Sequence, residues 1–277
     1  MPELPEVEVT RRALVAAVKG GIVGRTVVRC ERLRDPVPDL SVLTGLKLTS
    51  IQRRAKYLIW HFHSSDGCVG PTMVTHLGMS GVWRIWPQDP PTPKRHDHVD
   101  IEISGTTLRL SDPRRFGSVR LYEAGVNPLE QPPLSELGAE PFDPMLTVDR
   151  FHAALKIHHA HIKQVLLSGR VVVGVGNIYC SESLFAAGIH PKRRSDRISK
   201  EKAKQLLLSI RSILTAAIEA GGTTLRDFHG PDGSDGYFAL SCRVYDREGL
   251  PCQTCATPIR RIEQNARSTY YCPNCQH

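Results

Sequence analysis

The stretch CQTCATPIRRIEQNARSTYYCPNC, residues 252–275, decides the fold at the carboxyl-terminal end of the chain. Two Cys-x-x-Cys pairs stand sixteen residues apart in it. Pairs at this spacing supply four thiolates, which is the tetrahedral donor set that zinc prefers. With every position filled by protein, the predicted zinc ion is structural, and the segment 257–271 between the pairs is predicted to be a short hairpin. Four free thiols at a chance spacing are the alternative. The predicted ligands are Cys252, Cys255, Cys272 and Cys275.

The remaining cysteines stand alone along the chain, at Cys30, Cys68, Cys180 and Cys242. Single thiols without an export signal are typical of a reducing compartment, so we expect a cytoplasmic protein. The first ten residues, MPELPEVEVT, carry three glutamates and no basic region, which argues against a secretory signal peptide. No run approaches the roughly 18 apolar residues of a membrane span, so no membrane partner is expected.

The chain of 277 residues is basic, with 36 Lys and Arg against 28 Asp and Glu and a formal net charge of +8. Basic runs occur at 53–56, at 114–115 and at 190–204, the last with seven Lys and Arg. Any one run is explained by a solvated basic face. Several runs together with an arginine-bearing hairpin favour a polyanionic partner that is bound through its phosphates.

Hydrophobic periodicity divides the rest of the chain into two parts. Apolar residues at three- and four-residue steps predict a helix over 3–19, which Gly20-Gly21 ends. From 26 to 123 the period changes to two, and Ser104-Gly105 is predicted to be a hairpin turn. Many short strands separated by turns are typical of a sandwich or barrel-like β domain. The predicted strands are 26–30, 46–51, 57–63, 82–86, 99–103, 107–110 and 119–122.

Five prolines in 125–149 indicate a linker, and helical periodicity follows it. Helices are predicted near 151–158, from 162 to Gly169, over 177–184 and, most clearly, over 199–220. The glycine-rich stretch from Gly221 to Gly236 is predicted to be a mobile loop. We therefore expect an α+β protein with a β domain at 1–124, a linker at 125–149, a helical domain at 150–240 and a zinc finger at 241–277.

The amino terminus offers a second chemistry. Pro2 follows the initiator methionine, and removal of Met1 would expose a secondary amine, whereas with Met1 retained the nitrogen is an amide that cannot attack. An α-amine titrates near pH ~7.7–8.0, and its attack on an anomeric carbon gives an iminium that withdraws electrons. Glu3 is a candidate proton donor. The alternative, which composition alone favours, is a helix-starting proline with glutamates that complement the helix dipole.

Two further patterns are weaker. Gly174-Val175-Gly176 precedes a predicted helix at Asn177, where a phosphate could approach the backbone, although a plain helix connection explains the glycines equally well. No Lys-Ser/Thr follows, which excludes a nucleotide P-loop. The His-x-His pairs at 61–63 and 96–98 lack an obvious third ligand, so we interpret them as strand or DNA-facing histidines.

In sequence the chain resembles the bacterial formamidopyrimidine-DNA glycosylase family, which excises oxidised purines from DNA. Besides the cysteine pairs, the resemblance rests on PELPEVE at 2–8, RRAKYL at 53–58, HLGMSG at 76–81, HDHVD at 96–100, DPRRFG at 112–117, VVVGVGNIY at 171–179, ESLFAAGIHP at 182–191 and GGTTLRDF at 221–228. These segments cover essentially the whole chain in the family's order. The resemblance implies a two-sheet β-sandwich behind the amino-terminal helix, followed by a helix–two-turns–helix domain and a zinc-finger hairpin.

The resemblance also implies roles for individual residues. Pro2 would attack C1′ of the damaged nucleotide with Glu3 as acid and base, while Lys56 would serve β-elimination and Arg267 would serve δ-elimination. The space left in the duplex would be filled by Met79, Arg114 and Phe116. Phosphates around the lesion would be held by His96, Lys163 and Asn177. The implied partner is double-stranded DNA with oxidised bases, bound by a monomer that carries one structural zinc ion.

One departure from the family's pattern is visible. A basic residue that the family places shortly before Lys163 falls here among His158, His159 and His161, so we do not transfer its role. Two other functions stay open at this point. One is a catalytically silent zinc-finger protein that binds damaged or bent DNA, and the other is excision of oxidised pyrimidines, although Leu4, Met79, Arg114 and Phe116 resemble the purine-specific branch.

Overall fold

The computed structural model describes residues 2–223 and 238–277, which form two compact units. Among these residues, the first unit holds 2–135 and 221–223, and the second holds 136–220 and 238–277. The predicted mobile loop lies outside the described residues from position 224 to its end at Gly236. No helix in the described part of the chain is long and apolar enough to cross a membrane.

The first unit begins with α1, Leu4–Val18, as the sequence predicts. Its apolar stripe of Val7, Leu14 and Val18 joins the core of the unit. The outer stripe carries Glu8, whose carboxylate lies 3.3 Å from the guanidinium of Arg53 on the adjoining strand. The helix is therefore attached to the sheet by burial along one face and by charge along another.

Eight strands follow in two antiparallel sheets of four, so the predicted two-sheet sandwich is confirmed. The strands are β1 Val23–Val28, β2 Lys47–Arg54, β3 Tyr57–His63, β4 Val69–His76, β5 Val82–Trp86, β6 Asp97–Ile103, β7 Thr106–Ser111 and β8 Ser118–Tyr122. The strand orders are β1-β6-β7-β5 and β2-β3-β4-β8. Trp60 of one sheet and Trp83 of the other are both fully buried, with ring centroids 5.3 Å apart.

Two strand predictions were wrong. The first strand lies at Val23–Val28 rather than 26–30, because it starts its pairing with β6 as soon as the chain leaves the Gly20-Gly21 turn. Strand β4 was not predicted, and its sequence VGPTMVTH contains Gly70-Pro71 near the start. The pairing of β4 with β3 shifts register between His61 and His63, so the proline, which has no N–H, lies at an irregularity of the ladder.

The described residues of the second unit contain four α-helices and a hairpin. The elements are α2 Val148–Lys156, α3 Ile162–Leu167, α4 Asn177–Ala186, α5 Lys200–Glu219, β9 Arg260–Gln264 and β10 Arg267–Tyr271. Helix α5 is amphipathic as predicted, and Ser199 caps it by accepting from the Lys202 N–H at 3.2 Å. Helix α4 packs against α5 and against strand β10 of the hairpin.

Candidate functional site

The amino terminus is held by the carboxylate of Glu6, which the sequence predicts only to complement the helix dipole. Pro2 and Glu3 are both buried. One oxygen of Glu6 accepts from the backbone N–H of Glu3 and the other from the N–H of Thr223, each at 2.8 Å. Glu6 therefore connects the backbone beside Pro2 to the segment at Thr223. The spacing Glu3-x-x-Glu6, the signature of a capping box, could have identified it.

Lys56 lies in a two-residue turn between β2 and β3, in which Arg54 pairs with Tyr57. Ala55 makes the turn possible by adopting a φ of 53°, a conformation that an alanine rarely takes. The Lys56 side chain is half-buried at this end of the hairpin.

His76 is a second residue that the sequence reading missed. Burial, followed by the positive charges of Lys56 and Arg34, lowers the pKa of His76 from 6.5 to about 4. Its Nδ1 atom accepts the N–H of Gly78 at 3.0 Å, which requires that nitrogen to be unprotonated. At neutral pH the imidazole is therefore neutral, and the positive charge of this part of the site belongs to the cations around it. Its position at the start of HLGMSG was the available signal.

Met79, Arg114 and Phe116 lie on two loops of the first unit that each connect one sheet to the other. Met79 is half-buried, whereas Phe116 keeps 45% of its surface exposed. The guanidinium carbon of Arg114 lies 5.0 Å from the centre of the Phe116 ring. An exposed phenyl ring stacked with a cation suits insertion between bases. His96 is exposed, and its carbonyl accepts from the Asp112 N–H at 2.9 Å.

In the second unit, Lys163 and Asn177 meet at the hairpin. Their side-chain nitrogens donate to the carbonyl of Ser268 at 3.0 and 2.9 Å, and Lys163 also donates to Thr269 Oγ1 at 2.7 Å. Ser268 follows Arg267, which is exposed. Lys163 is fully buried, so here it supports the hairpin, and its contact with phosphate stays a prediction. The glycines at 174–176 lead directly into α4, which starts at Asn177.

The four predicted zinc ligands converge in the second unit. Their sulfur atoms all lie within 4.8 Å of one another, with Cys255 and Cys272 3.5 Å apart. Burial raises the pKa of the Cys272 thiol, whereas hydrogen bonds from Thr257 lower the pKa of Cys255 to about 5. Zinc binds cysteines as thiolates, so a bound ion would hold Cys272 ionised. Four soft thiolates at these distances fit one tetrahedral zinc ion with no open position.

The segment that leads into the finger is fixed by Glu182 on α4. Its buried carboxylate accepts from the backbone N–H groups of Arg243, Val244 and Tyr245 at 2.8–2.9 Å. A carboxylate with three amide donors is a strong, charge-assisted anchor. Nothing in the local sequence signals this contact, because its partners stand about sixty residues away.

Three family models match the chain. The formamidopyrimidine-DNA glycosylase N-terminal domain matches residues 1–119, and the formamidopyrimidine-DNA glycosylase H2TH domain matches residues 137–229. A zinc finger found in FPG and IleRS matches residues 249–277. Together these models cover most of the chain in the order in which the elements occur.

Relatives and solved structures agree with the models. Formamidopyrimidine-DNA glycosylases of Ralstonia pickettii and Herminiimonas arsenicoxydans are 49% and 47% identical over the full length of both chains. The MutM (Fpg) protein of Thermus thermophilus superposes with a TM-score of 0.88 at 36% identity, covering 99% of this chain and 98% of that one. A Lactococcus lactis Fpg mutant in complex with Fapy-dG DNA gives a TM-score of 0.89 at 31% identity over all of both chains.

Proposed function

The chain belongs to the formamidopyrimidine-DNA glycosylase family, and from that premise we propose that it excises oxidised purines from duplex DNA and then cleaves the strand. The observation that carries the proposal is the amino terminus, where Pro2 and Glu3 are buried beside a glutamate that holds the backbone in place. A buried, oriented amine with an adjacent carboxyl group is what covalent attack on a sugar carbon requires.

The proposed first step needs Pro2 as a free secondary amine. Its nitrogen forms a bond with C1′ while the bond from C1′ to the base breaks, and the departing base takes that electron pair together with a proton. Opening of the sugar ring then leaves an iminium between Pro2 and C1′, with Glu3 supplying the proton for the ring oxygen. The positive nitrogen acidifies the C2′ proton, and the later steps depend on that acidity.

Strand cleavage follows from the same iminium. Loss of the C2′ proton expels the 3′ phosphate in β-elimination, and a second elimination expels the 5′ phosphate. Lys56, in the β2–β3 turn, is assigned to the first step, and Arg267, exposed on the hairpin, is assigned to the second. Hydrolysis of the final iminium by water regenerates the amine.

Access to C1′ requires that the damaged nucleotide leave the base stack, which costs a few kcal/mol. Met79 and Phe116 are assigned to the vacated space, with Arg114 facing the orphaned base. His96, Lys163 and Asn177 are assigned to phosphates on either side. The zinc ion, held by the four cysteines, would supply folding energy to the hairpin that carries Arg267 and takes no part in bond breaking.

Borohydride trapping tests the proposal. Reduction of the iminium should leave a stable protein–DNA adduct on an 8-oxoguanine duplex, with the cross-link at Pro2 in the peptide map. One alanine inserted before Pro2 converts the nitrogen to an amide, and we expect no adduct from that variant. Its matched control carries a removable leader that is cleaved to restore Pro2 as the first residue. The proposal is contradicted if the alanine-insertion variant still forms an adduct, or if the control enzyme forms no adduct after its leader has been cleaved.

Two outcomes would indicate the other functions. Tight, salt-sensitive binding with intact strands indicates a silent binder of damaged DNA. Faster cleavage of thymine-glycol duplexes than of 8-oxoguanine duplexes indicates oxidised pyrimidines as the substrate. Glu3→Gln tests the assigned acid role. Without a proton for the ring oxygen, excision of 8-oxoguanine should slow more than adduct formation on a pre-formed abasic site, whose sugar ring can open without the enzyme.

A further inference from the structure

Two loops that cross between the sheets lie side by side in the first unit. The loop at 77–81 connects β4 to β5, and the loop at 112–117 connects β7 to β8. Strand β4, which leads into the first loop, pairs with β8, which follows the second loop. Strand β5, which follows the first loop, pairs with β7, which leads into the second. The two loops are therefore held together at both of their ends. The first loop carries Met79, and the second carries Arg114 and Phe116.

Asp112 connects the two loops through a single buried carboxylate. It is fully buried, and one oxygen accepts from the hydroxyl of Ser80 at 2.6 Å while the other accepts from the N–H of Gly117 at 2.7 Å. The Ser80 oxygen in turn accepts from the N–H of Arg114 at 3.1 Å. Hydrogen bonds to an ionised acceptor are stronger than those between neutral groups, so this short chain is a firm connection.

Each residue of the wedge, defined as Met79, Arg114 and Phe116, is one step from this chain. Ser80 follows Met79, Gly117 follows Phe116, and the N–H of Arg114 is itself a member. The backbone of Asp112 is held as well, since its N–H donates to the carbonyl of His96 at 2.9 Å and its carbonyl lies 2.9 Å from Nε2 of His98.

Close packing and strain show that the loops need such a connection. A Cβ at Gly78, whose φ is 63°, would overlap the backbone of Phe116 in the other loop. Arg115, between the two exposed wedge residues, adopts a φ of 54°, a strained conformation for a residue with a side chain, which persists only where its surroundings hold it. The Arg115 N–H donates to the Asp112 carbonyl at 3.2 Å. The backbone carbonyl of Asp112 therefore helps to hold Arg115 in its strained conformation.

We propose that Asp112, acting through Ser80 and Gly117, is a positioning residue that keeps the wedge of Met79, Arg114 and Phe116 in the conformation that enters DNA. The proposal rests on the proposed function, since it assigns the wedge to the space left by an extruded nucleotide. Asp112 touches no reacting atom. Its effect is on insertion, before any bond to the sugar forms.

The test uses Ser80→Ala, which breaks the bridge between the loops, and Asp112→Asn, which keeps the shape and removes the charge. Asp89→Asn, at an exposed aspartate of the same unit, is the matched control. Insertion is read from 2-aminopurine placed beside the base opposite the lesion, whose fluorescence rises on unstacking. Excision of 8-oxoguanine and cleavage of a pre-formed abasic site are measured in parallel, and tryptophan fluorescence checks the fold.

Loss of one hydrogen bond to a buried charge predicts a fall of about tenfold to hundredfold in kcat/KM for excision, with a weaker fluorescence rise. Abasic-site cleavage should fall less, because a nucleotide without a base is extruded more easily. Normal insertion and excision in both folded variants overturns the proposal, as does an equal fall on both substrates with normal insertion. Inactivity of the unmodified enzyme on both substrates instead contradicts the proposed function.

Discussion

Replacement of Lys163 by methionine distinguishes between two roles for this residue, which are support of the hairpin and contact with a DNA phosphate. The variant keeps the length and apolar stem of the side chain and removes the ammonium. In the structure that ammonium is fully buried and donates to the Ser268 carbonyl at 3.0 Å and to Thr269 Oγ1 at 2.7 Å. If the side chain supports the hairpin, its loss should loosen β9 and β10 before DNA is present.

The magnitude follows from the partners. Ser268 keeps the donor Asn177 Nδ2 at 2.9 Å, whereas the buried Thr269 hydroxyl loses the bond from Lys163. One buried group left unsatisfied costs about 1–3 kcal/mol, and relief from burying an ammonium offsets part of the loss. Local opening of the hairpin should therefore become easier by roughly 1–2 kcal/mol, which is about fivefold to thirtyfold in amide exchange.

Native-state hydrogen exchange measures this directly. Peptides that cover 260–271 should exchange faster in Lys163→Met, while those that cover β3 in the first unit should not change. Lys204→Met, at an exposed lysine of α5, is the control. The supporting role would be refuted if protection of the hairpin did not change and the log–log salt slope of DNA binding became shallower by the amount expected for about one phosphate. That result would favour the phosphate contact.

Three further predictions concern the whole enzyme. DNA affinity should fall with salt at a log–log slope of roughly −0.9 for each phosphate neutralised, and a flat titration contradicts phosphate-based binding. Zinc removal or Cys275→Ser should unfold the hairpin and weaken DNA binding before tryptophan fluorescence from the first unit changes, whereas unchanged binding by the zinc-free protein refutes this. The pKa of His76 is about 4 in the folded protein and 6.5 in the unfolded chain, so the unfolded state binds more protons as the pH falls. The free energy of unfolding of the first unit should therefore decrease by about 2 kcal/mol between pH 7 and pH 5. Urea unfolding should show that loss, and His76→Gln should lack it.

The sequence by itself determined the features that depend on spacing along a short stretch. The cysteine pairs predicted the metal centre because four ligands within 24 positions leave few other arrangements, and the sulfur atoms do converge. Helices α1 and α5 followed from their apolar stripes. The period of two predicted the sandwich, although β4 was missed because Gly70-Pro71 falls at an irregularity in its pairing with β3.

Only the tertiary structure decided which distant residues hold the site together. Glu6 reaches Thr223 across 217 positions, Lys163 reaches Thr269 across 106 and Asp112 reaches Ser80 across 32. Periodicity and spacing report on residues within one helix, one strand or one short loop. They carry no information about contacts between residues that are far apart in sequence. Each pair exists because a buried charge must find hydrogen-bond partners wherever the fold brings them, so its identity depends on the completed packing rather than on any local pattern.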